Sequence, residues 1–319
     1  MIDRCAAQPL GPPRLRVLGM VALIGFLTSA TAYGKTLVVG PDQELKMPSA
    51  AAAVAQTGDT INIESGEYFD CAVWKADRLT IEGMSADVVI TDKACQGKAL
   101  FVITGNDVTV RNLTLTRARV PDGNGAGIRA EGTNLRVEHS RFINNQNGIL
   151  AGQAPKSTIT VVDSEFAGNG TCEAACAHGI YVGQIALLHV ERSKFTGTKA
   201  GHHIKSRALR TEVIASEIVD GEKGTASYLI EVPNGGSLIV NDSVLQKGPN
   251  ASNHGAAIVI GAEGVSQRTA ELLISRNKFT NDQSYQTVFV RNMTATEAIL
   301  EKNSFKGQVI PLSGDGSVR

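Results

Sequence analysis

One pattern, Val/Ile/Leu-x-x-Ser/Asn-x-Phe/Leu/Ile, returns down most of this chain. It occurs as Val137-Ser140-Phe142, Val161-Ser164-Phe166, Val190-Ser193-Phe195 and Val213-Ser216-Ile218, then as Val240-Ser243-Leu245, Ile274-Asn277-Phe279 and Leu300-Asn303-Phe305. Val110-Leu113-Leu115 is an earlier copy without the polar member. Successive copies begin 23 to 34 residues apart. A unit that short cannot bury its own apolar face, so it must stack on copies of itself. Each copy is followed by a second short run: Gly127-Ile128, Gly148-Ile149, Gly179-Ile180, His203-Ile204, Leu229-Ile230, Ala257-Ile258 and Val288-Phe289. Short alternating runs bounded by glycine are strands, and no helical run of ten or more residues follows Ala55. The expectation is an all-β chain, a single right-handed parallel β-solenoid, with the hand set by the preference of parallel crossovers. Phe142, Phe166, Phe195, Phe279 and Phe305 should form one internal file, and the Ser/Asn column a hydrogen-bonding ladder at a turn.

The amino terminus reads as a targeting segment. Arg14 and Arg16 precede the apolar run Val17 to Leu27, and Ala30-Thr31-Ala32 offers small residues for cleavage. This pattern over 1–32 is a secretory signal, too short for a membrane span, and places the protein in the periplasm or outside the cell. Lys plus Arg and Asp plus Glu both number 31. Removing 1–32 takes three Arg and one Asp, leaving 28 against 30. A near-neutral chain gives no electrostatic case for nucleic acid or an anionic membrane as partner. Export makes the remaining Cys71, Cys95, Cys172 and Cys176 readable as two disulfides. Cys71 and Cys95 are 24 residues apart, about one coil, and Cys172 and Cys176 would close the tip of an inserted turn. A metal site is disfavoured because no His stands at finger-like spacing beside them.

In order, residues 33–77 should hold a first strand and a capping helix, 78–312 the solenoid, and 313–319 a disordered tail. The helix is read over Pro48 to Gln56, with Pro at its start and Gly58 just past its end. It would cover the open apolar end of the stack. Polar inserts at Val120 to Gly125, Asn169 to Ala177, Lys247 to His254 and Ala262 to Arg268 should be surface loops, the first two walling a groove.

This opening, with a small helix before Gly58-Asp59-Thr60-Ile61 and then Gly66-x-Tyr68, resembles the pectate-lyase-like and periplasmic β-helix proteins. With the ladder, the resemblance spans about residues 36 to 310 and implies a right-handed parallel β-helix. Gly201-His202-His203-Ile204-Lys205-Ser206-Arg207 is similar to the coil of alginate C5-epimerases that carries a His and then a Ser-Arg. That match assigns His202 and Arg207 functional roles. Where the epimerases carry Asp-Pro-His-Asp one coil earlier, this chain has Tyr181-Val182-Gly183-Gln184. Lys205-Ser206 also resembles the first half of the Lys-then-Arg pair of chondroitinase B and alginate-type lyases, but Glu231 stands one coil later.

Read by strict alternation, the second strand points Ile204 inward and His203, Lys205 and Arg207 outward. The corresponding positions one coil earlier are Gly179, Tyr181 and Gly183, and one coil later Leu229, Glu231 and Pro233. On this reading glycines keep the surface beside the triplet low enough for a polymer to approach. Arg207 would clamp a uronate carboxylate, making the adjacent C–H more acidic, and His203, Lys205, His202 or Tyr181 would remove that proton. Glu231, Arg129, His178 and Tyr228 complete the substrate-binding set. The function expected is action on an acidic, uronate-containing polysaccharide, by β-elimination or C5 epimerisation. A non-catalytic glycan-binding or structural β-helix protein is the alternative, in which Lys205 and Glu231 form only a surface charge ladder. An accessory protein for a periplasmic metalloenzyme is the second alternative, resting on the stacked His178 and His202. No cofactor is required. Calcium would need clustered carboxylates, which this face does not show. A glycoside hydrolase needs two carboxyls about 5–9.5 Å apart, and the outward Glu131 and Glu231 are four coils apart, or about 19 Å at the β spacing.

Overall fold

A computed structural model describes Gly11, residues 34–173 and residues 175–319. The signal segment expected over 1–32, Gly11 apart, lies outside the described residues. The chain is a right-handed parallel β-solenoid of about eleven turns. Each coil contributes one strand to each of three parallel sheets. The first sheet has 12 strands and runs from Thr36–Val39 to Gly316–Val318; the second and third have ten each. In one coil these are Leu135–Glu138, Arg141–Ile143 and Asn147–Ala151.

The repeat aligns as the sequence predicts. In the second sheet Phe142 pairs with Phe166, Phe166 with Phe195, Phe195 with Ile218, Ile218 with Leu245, Leu245 with Phe279 and Phe279 with Phe305. The rings of Phe142, Phe166 and Phe195 stack at 4.6 Å, nearly parallel. A fully buried large apolar side chain is worth about 1.5–3 kcal/mol, and this file continues through most coils. At the corner between the first and second sheets, each ladder residue supplies an acceptor to the coil before it. Ser140 N–H donates to Ser164 Oγ (3.2 Å), Ser164 to Ser193 (3.1 Å), Ser193 to Ser216 (3.1 Å), Ser216 to Ser243 (3.1 Å) and Ser243 to Asn277 Oδ1 (2.9 Å). The residue before each rung is left-handed, as at His139, Asp163 and Arg192. The backbone turns there and cannot pair with itself, so the side chain supplies the missing acceptor.

The helix spans Pro48–Val54; it stops short of Gln56 because Ala55 is already extended. It buries Pro48 and Ala51 and packs on the strands Ala72–Trp74 and Thr36–Val39, capping that end. No break falls at residue 78: Thr60–Ile63 pairs directly with Thr80–Gly83. The tail expected to lack order instead adds a strand, Gly316–Val318, to the edge strand Ala298–Glu301. An unpaired parallel edge favours that addition. Cys71 is bonded to Cys95 and Cys172 to Cys176.

Strict alternation fails at the start of the third-sheet strands, and this relocates one predicted site residue. In register, Ala126 pairs with Asn147 and Ile128 with Ile149, but Gly127 and Gly148 are skipped. The strand bends at that step, so two successive residues face inward. A Cβ on Gly127 would lie 2.7 Å from Phe142, and one on Gly148 2.7 Å from Phe166. These glycines make room for the phenylalanine file; they are not an external platform for substrate. Where the file holds Ile218 and Leu245 in place of Phe, His203 and Leu229 fill the glycine column, and Ala257 follows them. The Ile column continues through Val290, which pairs with Ile258 and then with Leu312, so Val288-Phe289 is displaced by one from the expected alignment.

Candidate functional site

The outer face of the third sheet is therefore set by two columns. One runs Asn147, His178, His202, Tyr228; the other runs Arg129, Leu150, Tyr181, Lys205, Glu231. His178 and His202 stack at 4.8 Å, His202 and Tyr228 at 5.1 Å, and Tyr181 meets His178 edge-on at 5.2 Å.

The histidines have a backbone duty. His202 N–H donates to His178 Nδ1 (3.0 Å), Tyr228 N–H to His202 Nδ1 (3.2 Å), and His178 N–H to Asn147 Oδ1 (2.8 Å). The bend costs the backbone its own acceptor here, and the side chains replace it. An Nδ1 that accepts carries no proton, so the ring proton of each histidine is on Nε2. His178 is held neutral: burial first, and then the charges of Lys205 and Arg207, push its pKa well below the usual value. His202 Nε2 faces Glu231 Oε2 at 3.0 Å. Neither ring, as folded, offers a nitrogen to take a proton.

Lys205 and Arg207 point outward as expected and are ion-paired. Lys205 Nζ is 2.9 Å from Glu231 Oε2 and 2.6 Å from Glu263 Oε1. Arg207 Nη2 is 2.6 Å from Glu263 Oε2, its Nε donates to the Tyr181 hydroxyl (3.1 Å), and its Nη1 donates to Asn234 Oδ1. Both cations approach the Tyr181 ring, at 6.0 and 5.8 Å from its centroid. Burial works against the charge on Lys205, but Glu263 and Glu231 outweigh it and raise its pKa. Burial likewise opposes the charge of Glu231, yet His202 and Lys205 pull its pKa down to about 2. Glu263 is shifted down the same way by Lys205 and Arg207 against a burial effect. The close approaches to Glu231 Oε2 lack hydrogen-bond alignment, so Lys205 acts on it as a charge and His202 as an N–H dipole.

His203 is absent from this face. It is fully buried inside the coil, with Nδ1 on Thr198 Oγ1 (2.8 Å) and Nε2 on Asp220 Oδ1 (2.8 Å). His254 does not join the histidine column, whose place is taken by Ala256; it stacks on Tyr285 at 4.1 Å. Arg129 stands at one side with Nε 3.6 Å from Glu131. Two clefts flank the Tyr181–Lys205 ridge. One, of about 530 Å³, is lined by Arg129, Tyr181, Arg207, Asn234 and Ser266. The other, of about 590 Å³, is lined by Cys172, Cys176, His178, His202, Lys205 and Ser252. The insert at 169–177 thus walls the groove, as its polarity suggested.

Glu263 and Asn234 are the residues the sequence reading missed. Glu263 comes from the insert after the strand Ala256–Ile260, two coils beyond Lys205, and folds back over it. A glycine-flanked acidic insert downstream of an exposed Lys-x-Arg was the available signal. Glu263 also overturns the carboxylate spacing argument, because Glu231 and Glu263 both reach one lysine nitrogen. Among the described residues no group of three or more His, Cys, Asp or Glu is arranged to hold a metal, and no helix among them is long and apolar enough to cross a membrane.

A solenoid with a polar cluster on one outer sheet defines the class of protein. More particularly, the chain belongs to the family described as the right handed beta helix region, which matches residues 50–218. No curated protein matches it by sequence. Among solved structures it is similar to an alginate lyase from Paenibacillus sp. str. FPU-7 (TM-score 0.58, 16% identity, covering 86% of this chain and 99% of that one). It is also similar to the pectate lyase Pel9A (TM-score 0.53, 14% identity, covering 90% and 78%). At such identity these likenesses establish the fold.

Proposed function

We propose that this is an exported protein that binds an acidic, uronate-containing polysaccharide on the outer face of the third sheet and cleaves it by β-elimination. One observation carries the reading. A carboxylate, that of Glu263, already lies between Lys205 Nζ and Arg207 Nη2 at 2.6 Å from each, and the same Arg207 donates to the Tyr181 hydroxyl. The seat has the charge and the two-pronged geometry of a carboxylate receptor. The solved alginate and pectate lyases that share the fold support the substrate class, and the two disulfides with the N-terminal signal pattern support export.

A uronate carboxylate in this seat is neutralised by Arg207, which stabilises charge developing when the C5 proton leaves. Lys205 is protonated and His202 has no free acceptor, so Tyr181 is the proton-transfer group. Its oxygen takes the C5 proton while its own hydroxyl proton passes to the departing C4 oxygen. The C–H electron pair becomes the C4–C5 double bond, the C4–O bond breaks, and the phenol is regenerated. Delivery of a solvent proton to C5 from the opposite face, with the C4–O bond left intact, would make the same site an epimerase. Hydrolysis is disfavoured because it needs a carboxylic acid that keeps its proton, and Glu231 and Glu263 are both held ionised.

The test is a screen of uronate polymers for a new ultraviolet absorbance from a 4,5-unsaturated product, repeated with Tyr181→Phe and Arg207→Ala. Absorbance in the parent protein and none in the variants is expected; full activity in both variants rejects the site. The internal pairing of all four charges favours a second reading, glycan binding without turnover, which the same samples reveal as affinity with no absorbance.

A further inference from the structure

The two carboxylates on Lys205 differ in how they are held. Glu231 is on a strand, its side chain 5% exposed, against His202 as well as Lys205. The Glu263 side chain is 41% exposed and comes from a loop. That loop's backbone is strapped to the preceding coil's loop. Glu263 N–H donates to Pro233 O (2.9 Å), and Ser266 and Gln267 N–H both donate to Asn234 O (3.0 Å). Gln267 Nε2 also donates to Arg207 O (2.8 Å). Gly261 and Gly264 bracket the residue with φ of +85° and +90°, turns that favour glycine. The Glu263 side chain can therefore leave by rotation about its own bonds while the loop stays in place. When it leaves, Lys205 keeps Glu231, and Arg207 keeps Tyr181 and Asn234.

We propose that Glu263 is a specificity gate: it fills the uronate seat, so that a lone carboxylate is refused and a polymer with further contacts in the flanking clefts is admitted. This rests on the reading of the cluster as a uronate seat. A carboxylate that replaces Glu263 makes the same two ion pairs, so the exchange alone yields little. The net gain must come from the neighbouring sugars, for which the clefts on either side provide room. Selectivity arises by setting an internal competitor against weak ligands. A competitor that fills the seat about nine-tenths of the time lowers apparent affinity about tenfold.

The experiment compares the full chain with Glu263→Gln and Glu263→Ala, using sodium acetate and short oligouronates as probes. The readouts are the Arg207 Nε–H resonance and titration calorimetry; melting curves check the fold. Acetate should shift the Arg207 resonance saturably in both variants, and only at about tenfold higher concentration in the parent. Oligouronates should bind the variants about tenfold more tightly or better. Acetate acting equally on all three proteins, or on none, overturns the gate. If acetate fills the opened seat but oligouronates never bind, the gate stands and the polysaccharide reading falls. If oligouronates bind all three equally, that reading stands and the gate falls.

Discussion

The coil from Thr198 to Asp220 carries two charged clusters, one on each side of the same strand, and they resolve the same problem differently. Outside, Lys205 contacts two carboxylates and its charge is favoured despite burial. Inside, Lys247 is fully buried, donates to Ser227 O, and feels Asp220 only at longer range. Burial therefore wins, and its pKa falls to about 8. Asp220 is committed elsewhere: Oδ1 to His203 Nε2 (2.8 Å) and Oδ2 to Gly248 N–H (3.0 Å). The lesson is that two carboxylates in contact can hold a lysine's charge against burial, whereas one at longer range around a deeper lysine does not. The inner cluster is closed on all sides, while the outer one has an exposed member that can be exchanged. Inner substitutions should act on stability alone, in either direction, and outer ones on function as well.

The largest effect is expected for Asp220→Ala. It strips the partner from His203 Nε2 and Gly248 N–H and removes the charge opposing Lys247, all without access to water. Breaking a buried pair this way costs about 3–5 kcal/mol, read from denaturant unfolding. If Asp220→Ala costs no more than Glu263→Ala, the inner-versus-outer contrast is broken.

Lys247 supplies a pH signature of the inner cluster. Its folded pKa is below its unfolded one, so the unfolded chain holds the proton more tightly. The penalty is full below pH 8 and is relieved as pH rises through the window between about 8 and 10.5. Stability should therefore gain roughly 3 kcal/mol across that window from this group. Lys247→Met should flatten the rise and stabilise the protein at neutral pH. A parent and variant with parallel stability profiles would show that Lys247 is not paying a burial cost.

Glu231 gives the opposite signature outside. Its carboxylate is depressed from 4.5 to about 2, so it contributes stability above its unfolded pKa and loses it as pH falls between those values. Because water reaches its partners, roughly 2 kcal/mol is expected, less than the bare shift implies. Glu231→Gln should remove that acid limb. It should also slacken His202 and Lys205, so a variant with an unchanged acid limb would mean the pair is weaker than its distances suggest.

The ladder and the phenylalanine file were legible because identical residues stack on identical residues, and a period survives any local irregularity. The sites were legible only where strict alternation held. Lys205, Arg207, Tyr181 and Glu231 were placed correctly on one face by parity. His203 was misplaced because one bend at the strand start puts two consecutive residues inside, and parity cannot register it. Of the glycines beside it, Gly179 was misread for the same reason, since it abuts the Phe195 ring of the core, while Gly183 does line the cleft with Tyr181 and Arg207. Glu263 was invisible to the register because it arrives from a loop two coils away, and loop closure follows no period.

The smallest stability effect, and the sharpest division between the clusters, is expected for Tyr181→Phe. The ring keeps its edge contact with His178 (5.2 Å) and its place beneath Lys205 and Arg207. Only the hydroxyl is lost, and with it the acceptor for Arg207 Nε. Arg207 retains Asn234 and Glu263, and its freed Nε–H lies at a cleft where water can replace the phenol. The net cost of one such hydrogen bond is about 0.5–1.5 kcal/mol, and solvation by water should keep it at the low end. The melting temperature should barely move, uronate binding should persist, and turnover should vanish, because the proton has no other carrier on this face. A variant that still turns over substrate would pass the chemistry to another group. A variant that melts as far below the parent as Asp220→Ala does would show that the outer cluster, like the inner one, is there to hold the coil together.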